Sequence, residues 1–196
     1  MEDIGETIVG DYLRVILGCD FVNFNVNTKE GKKTRQGEID VVGIRVKNKD
    51  PNDKFIHVYL CEVATHMDGL HYNNPATKKS DNVERFKKKF KTNIDYAAKN
   101  YDPDSYKCHH MLWSPVVTNS KEGAKNNQTK DIEEIKEHFA KQGIEIEMFV
   151  NEKYQKCLDA LRNEAGEKKA AFKSPVLRLM QIEERLKKHL GKKDTI

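Results

Sequence analysis

The chain of 196 residues carries 35 basic and 31 acidic side chains, and 37% of its residues are hydrophobic. That length fits one ordinary domain with a helical appendage, and the mixed charge and apolar content exclude a largely disordered chain. A net charge of +4 permits a nucleic-acid partner without requiring one, while no apolar stretch approaches the roughly 20 residues that span a bilayer.

Apolar periodicity divides the first part of the chain into helices and strands. In chain order it predicts a helix at 3–17, strands at 21–26, 38–47 and 55–65, a helix after residue 82, a strand at 108–118, a helix at 129–142 and a strand at 144–150. Polar loops at 28–36 and 66–82 separate these segments. The order predicts an α/β fold with a central mixed sheet and helices on both sides.

Residues 151–196 are highly charged, and we predict that they form a C-terminal helical extension to a domain at residues 1–150. Helices are predicted at 151–166 and 174–190, and Pro175 is typical of a first helical turn. The second helix carries an apolar stripe, formed by Leu179, Ile182, Leu186 and Leu190. Such a stripe more often packs within its own chain, and a homodimer through it is the alternative.

Two acidic residues lie inside apolar predicted strands. Asp40 stands between isoleucine and valine, and Glu62 stands between cysteine and valine. An ionised carboxylate in such a setting is costly unless it meets a cation. Because Mg²⁺ is typically held by one or two carboxylates, water and substrate phosphate, the two acids favour a shared metal site.

Local geometry indicates which residues flank that site. Side chains alternate along a strand, so Glu38 shares a face with Asp40, and His66 shares a face with Glu62. Glu6 lies off the apolar stripe of the first helix and is a candidate third acid. The alternative is that each acid faces solvent on the open side of an antiparallel sheet.

Two short segments surround these acids. Residues 36–43 read Gln-Gly-Glu-Ile-Asp-Val-Val-Gly, residues 59–64 read Tyr-Leu-Cys-Glu-Val-Ala, and Gly5-Glu6 is followed by Tyr-Leu at 12–13. These segments resemble the core and first helix of the PD-(D/E)XK nucleases, over roughly residues 3–118. The predicted order of elements resembles the αβββαβ core of that superfamily, so the resemblance implies a restriction-endonuclease-like fold.

The resemblance implies a metal-dependent nuclease that hydrolyses phosphodiester bonds. Asp40 and Glu62 would bind Mg²⁺, with Mn²⁺ as the alternative, and Glu6 would assist. The metal would polarise the phosphate and activate a water molecule. Since most of the superfamily cuts DNA, the resemblance implies a DNA endonuclease of restriction or repair type that acts on double-stranded DNA.

One position departs from the family pattern. The lysine expected two residues after the second acid is Ala64. Either a cation from elsewhere replaces it, or the domain is catalytically inactive and binds nucleic acid or a protein partner. We favour a displaced cation and expect Lys79, before the next helix, or Lys87, within it. His66 is a further candidate, as base or ligand.

Two basic clusters flank the predicted site, one at residues 29–35 and one at residues 87–91. A run of charge usually forms a solvated face, but beside a metal site its cations become candidate phosphate contacts. We therefore expect nucleic acid to contact Lys32, Lys33, Arg35, Lys88 and Lys91.

The sequence lacks the motifs of several other kinds of functional site. The four cysteines lack zinc-type spacing, and there is no P-loop, dinucleotide-binding glycine motif or serine-hydrolase elbow. The N-terminal residues lack a signal-peptide pattern. We therefore expect a cytoplasmic protein with reduced thiols and no membrane partner.

Overall fold

The computed structural model describes residues 3–28, 37–48, 50–65, 70, 79–118 and 128–191, without the side chains of residues 79–82. Within these ranges the elements are α1 (Ile4–Val15), β1 (Phe21–Asn27), β2 (Glu38–Arg45), β3 (Ile56–Val63), α2 (Lys79–Asn100), β4 (Tyr106–Ser114), α3 (Gln128–Ala140), β5 (Ile146–Val150), α4 (Asn151–Glu167) and α5 (Pro175–Leu190). The predicted α/β class and order of elements are confirmed.

The five strands form one mixed sheet in the order β1-β2-β3-β4-β5. The first three strands are antiparallel to one another, whereas β4 and β5 continue parallel to β3. A parallel pair needs a crossover connection, and α2 and α3 supply one before β4 and one before β5. In the β2–β3 ladder Val41 pairs with Cys61, so the next position places Asp40 opposite Glu62.

Helices cover both faces of the sheet. On one face Val9 and Leu13 of α1 and Tyr154 of α4 pack around Trp113, which is fully buried. On the other face the predicted apolar side of α2 packs against the sheet and α3, through residues that include Phe86 and Phe90. The sheet is therefore buried between two layers of helices.

The C-terminal helices lie on the outside of the first layer. Leu161 of α4, Leu177 and Met180 of α5 form a small core together with residues of α1. The hydroxyl of Ser174, which caps α5, also donates a hydrogen bond to buried Asp11 of α1. The division of the chain at residue 150 stays a prediction.

Two local expectations are wrong. The predicted strand at 108–118 starts earlier and ends at Ser114, because Pro115 has no N–H to continue the ladder. The apolar stripe of α5 packs against none of the described residues, since α5 buries its other side among them, and the stripe is 43–59% exposed, at Leu179, Ile182, Leu186 and Leu190. None of the helices in the described ranges is long and apolar enough to cross a membrane.

Candidate functional site

Asp40 and Glu62 lie side by side on the face of the sheet that α2 covers. The carboxylate of Asp40 accepts a hydrogen bond of 2.7 Å from the backbone N–H of Val63, which follows Glu62 on the next strand. Glu62 has no solvent exposure, and Asp40 is largely shielded. The two acids therefore meet on one face of the sheet, which is the arrangement that a shared metal site requires.

A single cation, the ammonium group of Lys89 on α2, contacts both acids. Its Nζ atom lies 3.4 Å from Oδ1 and 3.3 Å from Oδ2 of Asp40, and it also donates a hydrogen bond to Oε2 of Glu62. The two carboxylates are therefore close enough to share one positive charge, and the residue that supplies it is neither Lys79 nor Lys87.

Asn93 completes the surroundings of Glu62. Its Nδ2 atom donates a hydrogen bond of 2.9 Å to Oε1 of Glu62, and the side chain is buried. Lys89 and Asn93 are four residues apart, so both project from the same side of α2. Each oxygen of Glu62 thus has its own donor from α2.

Burial and the repulsion between neighbouring carboxylates dominate the electrostatics of the site. Burial and then the negative charge of Asp40 raise the pKa of Glu62 to about 7, against the smaller opposing effects of Lys89 and Asn93. A carboxylate with a raised pKa is poorly stabilised, so it gains from any additional cation.

Glu6 approaches the same region from α1. Burial, and then the charges of Asp40 and Asp3, raise the pKa of Glu6. Its carboxylate accepts a hydrogen bond of 3.4 Å from Asn25, whose φ of 53° lies in the left-handed region. Because Asn25 follows Phe24, which pairs with Val41, the distorted residue stands opposite Asp40.

The start of α1 sits tightly against the end of β3. Asp3 caps α1 by accepting from Gly5 N–H at 2.7 Å, and the same oxygen accepts from the hydroxyl of Thr65 at 3.0 Å. A Cβ atom on Gly5 would come within 1.9 Å of Thr65 Cγ2, so only glycine allows this approach. The contact brings Glu6 beside the acids of the sheet.

Ala64 shows why the expected lysine is absent. It lies on the same face as Glu62 but is buried in an apolar cluster with Val83 and Phe86 of α2. A long charged side chain has no access to solvent at that point. The cation instead comes from α2, one turn beyond this apolar cluster.

The expectation that Lys87 supplies this cation is wrong. Its Nζ atom lies 2.9 Å from Glu84 and 2.9 Å from Glu134, away from Asp40 and Glu62. Two residues along a helix correspond to a rotation of about 200°, so Lys87 and Lys89 point in nearly opposite directions. The side chain of Lys79 and the whole of His66 lie outside the described residues.

The predicted phosphate contacts divide into two groups. Lys88 and Lys91 are exposed on α2 and line an open groove beside the acids. The other three cations, Lys32, Lys33 and Arg35, lie outside the described residues.

The donor set of the site suits a hard divalent cation. Asp40 and Glu62 offer carboxylate oxygens, the ligand type that Mg²⁺ and Mn²⁺ take, and their shared hold on the Lys89 ammonium shows that one cation reaches both. In the described part of the chain, no three His, Cys, Asp or Glu side chains are grouped closely enough to enclose a metal ion. Among the described residues, Asp40 and Glu62 would be the carboxylate ligands of a metal here.

Comparisons of the chain with models of known protein families, with curated proteins and with solved structures find no match.

Proposed function

We propose that this protein is a metal-dependent nuclease of the PD-(D/E)XK kind, with a restriction-endonuclease-like domain and the reaction centre at Asp40 and Glu62. The observation that carries the proposal is the cation shared between these two acids of neighbouring strands, of which Glu62 is fully buried and Asp40 is largely shielded. Burying two carboxylates costs free energy, and a fold that needed only packing would place apolar residues there.

The residues present divide the work of phosphodiester hydrolysis. Asp40 and Glu62 would hold the metal, which when bound supplies Lewis-acid stabilisation of the charge that develops on the phosphate oxygens. Lys89 would offer a second positive charge to the same phosphate, and Asn93 holds Glu62 in place. Glu6 has a raised pKa and is a candidate for exchanging a proton with water.

We propose double-stranded DNA as the substrate, cut by an endonuclease of restriction or repair type. The support is the resemblance of residues 36–43 and 59–64, together with the αβββαβ order from α1 to β4. The basic residues on α2 beside the acids suit a polyanion of either DNA or RNA.

A second candidate function is a catalytically inactive domain that binds nucleic acid or a protein. One observation favours it: the Lys89 ammonium contacts both carboxylates, in the place that a shared metal ion would take. In that case Lys89 would be a structural replacement for the metal rather than a partner of it.

Cleavage of supercoiled DNA in a Mg²⁺ titration tests the proposal. We expect cleavage by the wild-type protein, no cleavage in EDTA, and a loss of at least about 10²-fold in Asp40→Asn and in Glu62→Gln. Glu84→Gln is the matched control, because Glu84 is an exposed acid that pairs with Lys87. Intact DNA binding with no cleavage at any concentration of Mg²⁺ or Mn²⁺ would instead support the inactive domain.

A further inference from the structure

An open groove runs beside the candidate site, between α2 and the end of β1. Its volume is about 710 Å³. The groove is lined by three lysines of α2 and by polar or aromatic side chains, which include Lys88, Lys91, Lys99, Asn27, Thr28 and Tyr96.

The groove begins at the candidate site. Lys88 and Thr92 immediately precede Lys89 and Asn93, so they lie on the same turns of α2, rotated by about 100° towards β1. On the opposite wall Asn27 pairs with Glu38, two residues from Asp40. A chain lying in the groove would therefore lead directly past the two acids.

The charge of the groove suits an anion. Among its lining residues the carboxylate is Asp95, which lies 3.8 Å from Lys91. Both partners are more than 60% exposed, so their ion pair is weak and leaves the lysine available to a stronger anion. Among the described residues that line the groove, three lysines therefore stand against one carboxylate.

We propose that this groove binds the sugar-phosphate backbone of one nucleic-acid strand on one side of the phosphate that is cut. The inference rests on the proposed function, and it assigns the position of the substrate. Lys88 and Lys99 are eleven residues apart, which is about 16 Å along the helix. At a rise of about 3.4 Å per nucleotide, the lysines span roughly five nucleotides of one strand.

The other lining residues have the chemistry for such a strand. The exposed amide of Asn27 offers hydrogen-bond donors to phosphate and sugar oxygens, and Tyr96 offers a hydroxyl and a ring edge, whereas the hydroxyl of Thr28 already donates to the carbonyl of Gly37 at 2.7 Å. Contacts of this kind position a backbone without reading its sequence.

Binding without cleavage provides the test. The full-length protein is titrated in EDTA into fluorescent duplex DNA, single-stranded DNA and single-stranded RNA of one sequence, at several salt concentrations. The groove variant carries Lys88→Gln, Lys91→Gln and Lys99→Gln. The control variant carries the same charge change at exposed lysines outside the groove, with Lys136→Gln, Lys169→Gln and Lys173→Gln.

We expect the groove variant to bind at least one of the three nucleic acids about tenfold more weakly than the wild type. On duplex DNA the logarithm of the affinity falls with the logarithm of the salt concentration, and each lost phosphate contact makes this slope shallower by about 0.9. The loss of three contacts should therefore make it shallower by about 2 to 3. The control variant should keep the wild-type slope. The nucleic acid for which the groove variant loses the most affinity is the one whose backbone the groove binds.

Two results would overturn the inference. One is an equal loss of affinity in the groove and control variants, which would reflect net charge alone. The other is a wild-type protein that binds none of the three nucleic acids. These failures are separable from failure of the proposed function, because Mg²⁺-dependent cleavage that depends on Asp40 can persist when the groove variant binds normally.

Discussion

The Nδ2 atom of Asn93 donates a hydrogen bond of 2.9 Å to Oε1 of Glu62, and both side chains are buried. This hydrogen bond joins the middle of α2 to the acid near the end of β3. In the sequence, residues 64–78 separate these two elements. An amide in the apolar side of a helix is costly unless it has such a partner.

Replacing this amide should destabilise the fold. We expect Asn93→Ala to lower the free energy of unfolding by about 1–3 kcal/mol, because a buried carboxylate oxygen then loses its donor. Urea denaturation at pH 7 measures the change. Asn100→Ala is the control, since Asn100 is exposed and donates to the backbone carbonyl of Tyr96 in its own helix, and should stay within about 0.5 kcal/mol. Equal stability of Asn93→Ala and wild type would remove the positioning role.

Lys89 should matter for chemistry, whereas Lys87 should not. We expect Lys89→Met to reduce DNA cleavage by about 10²-fold or more, as for other groups that stabilise transition-state charge. Lys87→Met is matched in chemistry and helix, but its ammonium pairs with Glu84 and Glu134. Initial rates at saturating Mg²⁺ measure the effect. The assignment fails if both variants cleave at the wild-type rate.

Removing Lys89 should also tighten metal binding. Without that ammonium, the charges of Asp40 and Glu62 are neutralised by a metal ion or by a proton on Glu62, so the gain in metal binding should be largest at alkaline pH, where the proton competes least. The Mg²⁺ concentration for half-maximal cleavage should therefore fall in Lys89→Met even as the maximal rate falls. A purely structural lysine would leave this concentration unchanged.

Glu62 should make stability depend on pH. Its pKa is about 7 in the folded protein, above the ordinary value of 4.5, so the folded state binds the proton more tightly than the unfolded state. Its contribution to stability is therefore present at low pH and is lost as pH rises from about 4.5 to 7. Glu62→Gln, which cannot ionise, should lack this loss.

Urea denaturation of both proteins at pH 5 and pH 8 measures the difference. Relative to Glu62→Gln, we expect the wild type to lose on the order of 1–3 kcal/mol between these values in the absence of metal. The same relative stability at both pH values would show that burial beside Asp40 does not raise the pKa of the Glu62 carboxyl.

The close approach at Gly5 should be intolerant of a side chain. We expect Gly5→Ala to cost about 1–3 kcal/mol, because its Cβ would overlap Thr65, which is held by Asp3. Gly166→Ala is the control, since the nearest atoms there belong to the flexible side chain of Glu184 at 3.4 Å. In that helix the alanine should be neutral or stabilising by up to about 1 kcal/mol. Thermal unfolding of both variants makes the comparison, which fails if Gly5→Ala is as stable as wild type.

Much of the fold could be predicted from the sequence, because helices and strands follow from local patterns of apolar residues. The apolar side of α2 follows from a periodicity of 3.6 residues, β2 from its β-branched residues, and β3 from a continuous apolar run, which fits its burial on both faces. Alternation within each strand did not decide whether Asp40 and Glu62 share a face, because that depends on the register between β2 and β3.

The residue that supplies the cation of the site, Lys89, could not be predicted in this way. Four lysines crowd positions 87–91, and which of them faces the sheet depends on how α2 is rotated when it packs. One signal was present: Asn93 lies three residues after Phe90 and four before Ala97, in the middle of the apolar side. A polar residue at that position marks the direction of the acids, and Lys89 is its neighbour one turn earlier.

The exposure of the α5 stripe was also beyond the sequence. Periodicity shows that Leu179, Ile182 and Leu186 share a side, but it does not show which side meets the rest of the chain. Leu177 and Met180 of the same helix make that contact, together with buried Gln181, which donates to two backbone carbonyls of the preceding loop.

Electron paramagnetic resonance of Mn²⁺ with the full-length protein and a short DNA duplex tests the central claim most directly. The account predicts that the wild type immobilises Mn²⁺, that Mg²⁺ competes for the same site, and that Asp40→Asn combined with Glu62→Gln abolishes the bound signal, whereas Glu84→Gln retains it. Bound Mn²⁺ in the double variant equal to that in wild type, or none in either protein, would contradict it.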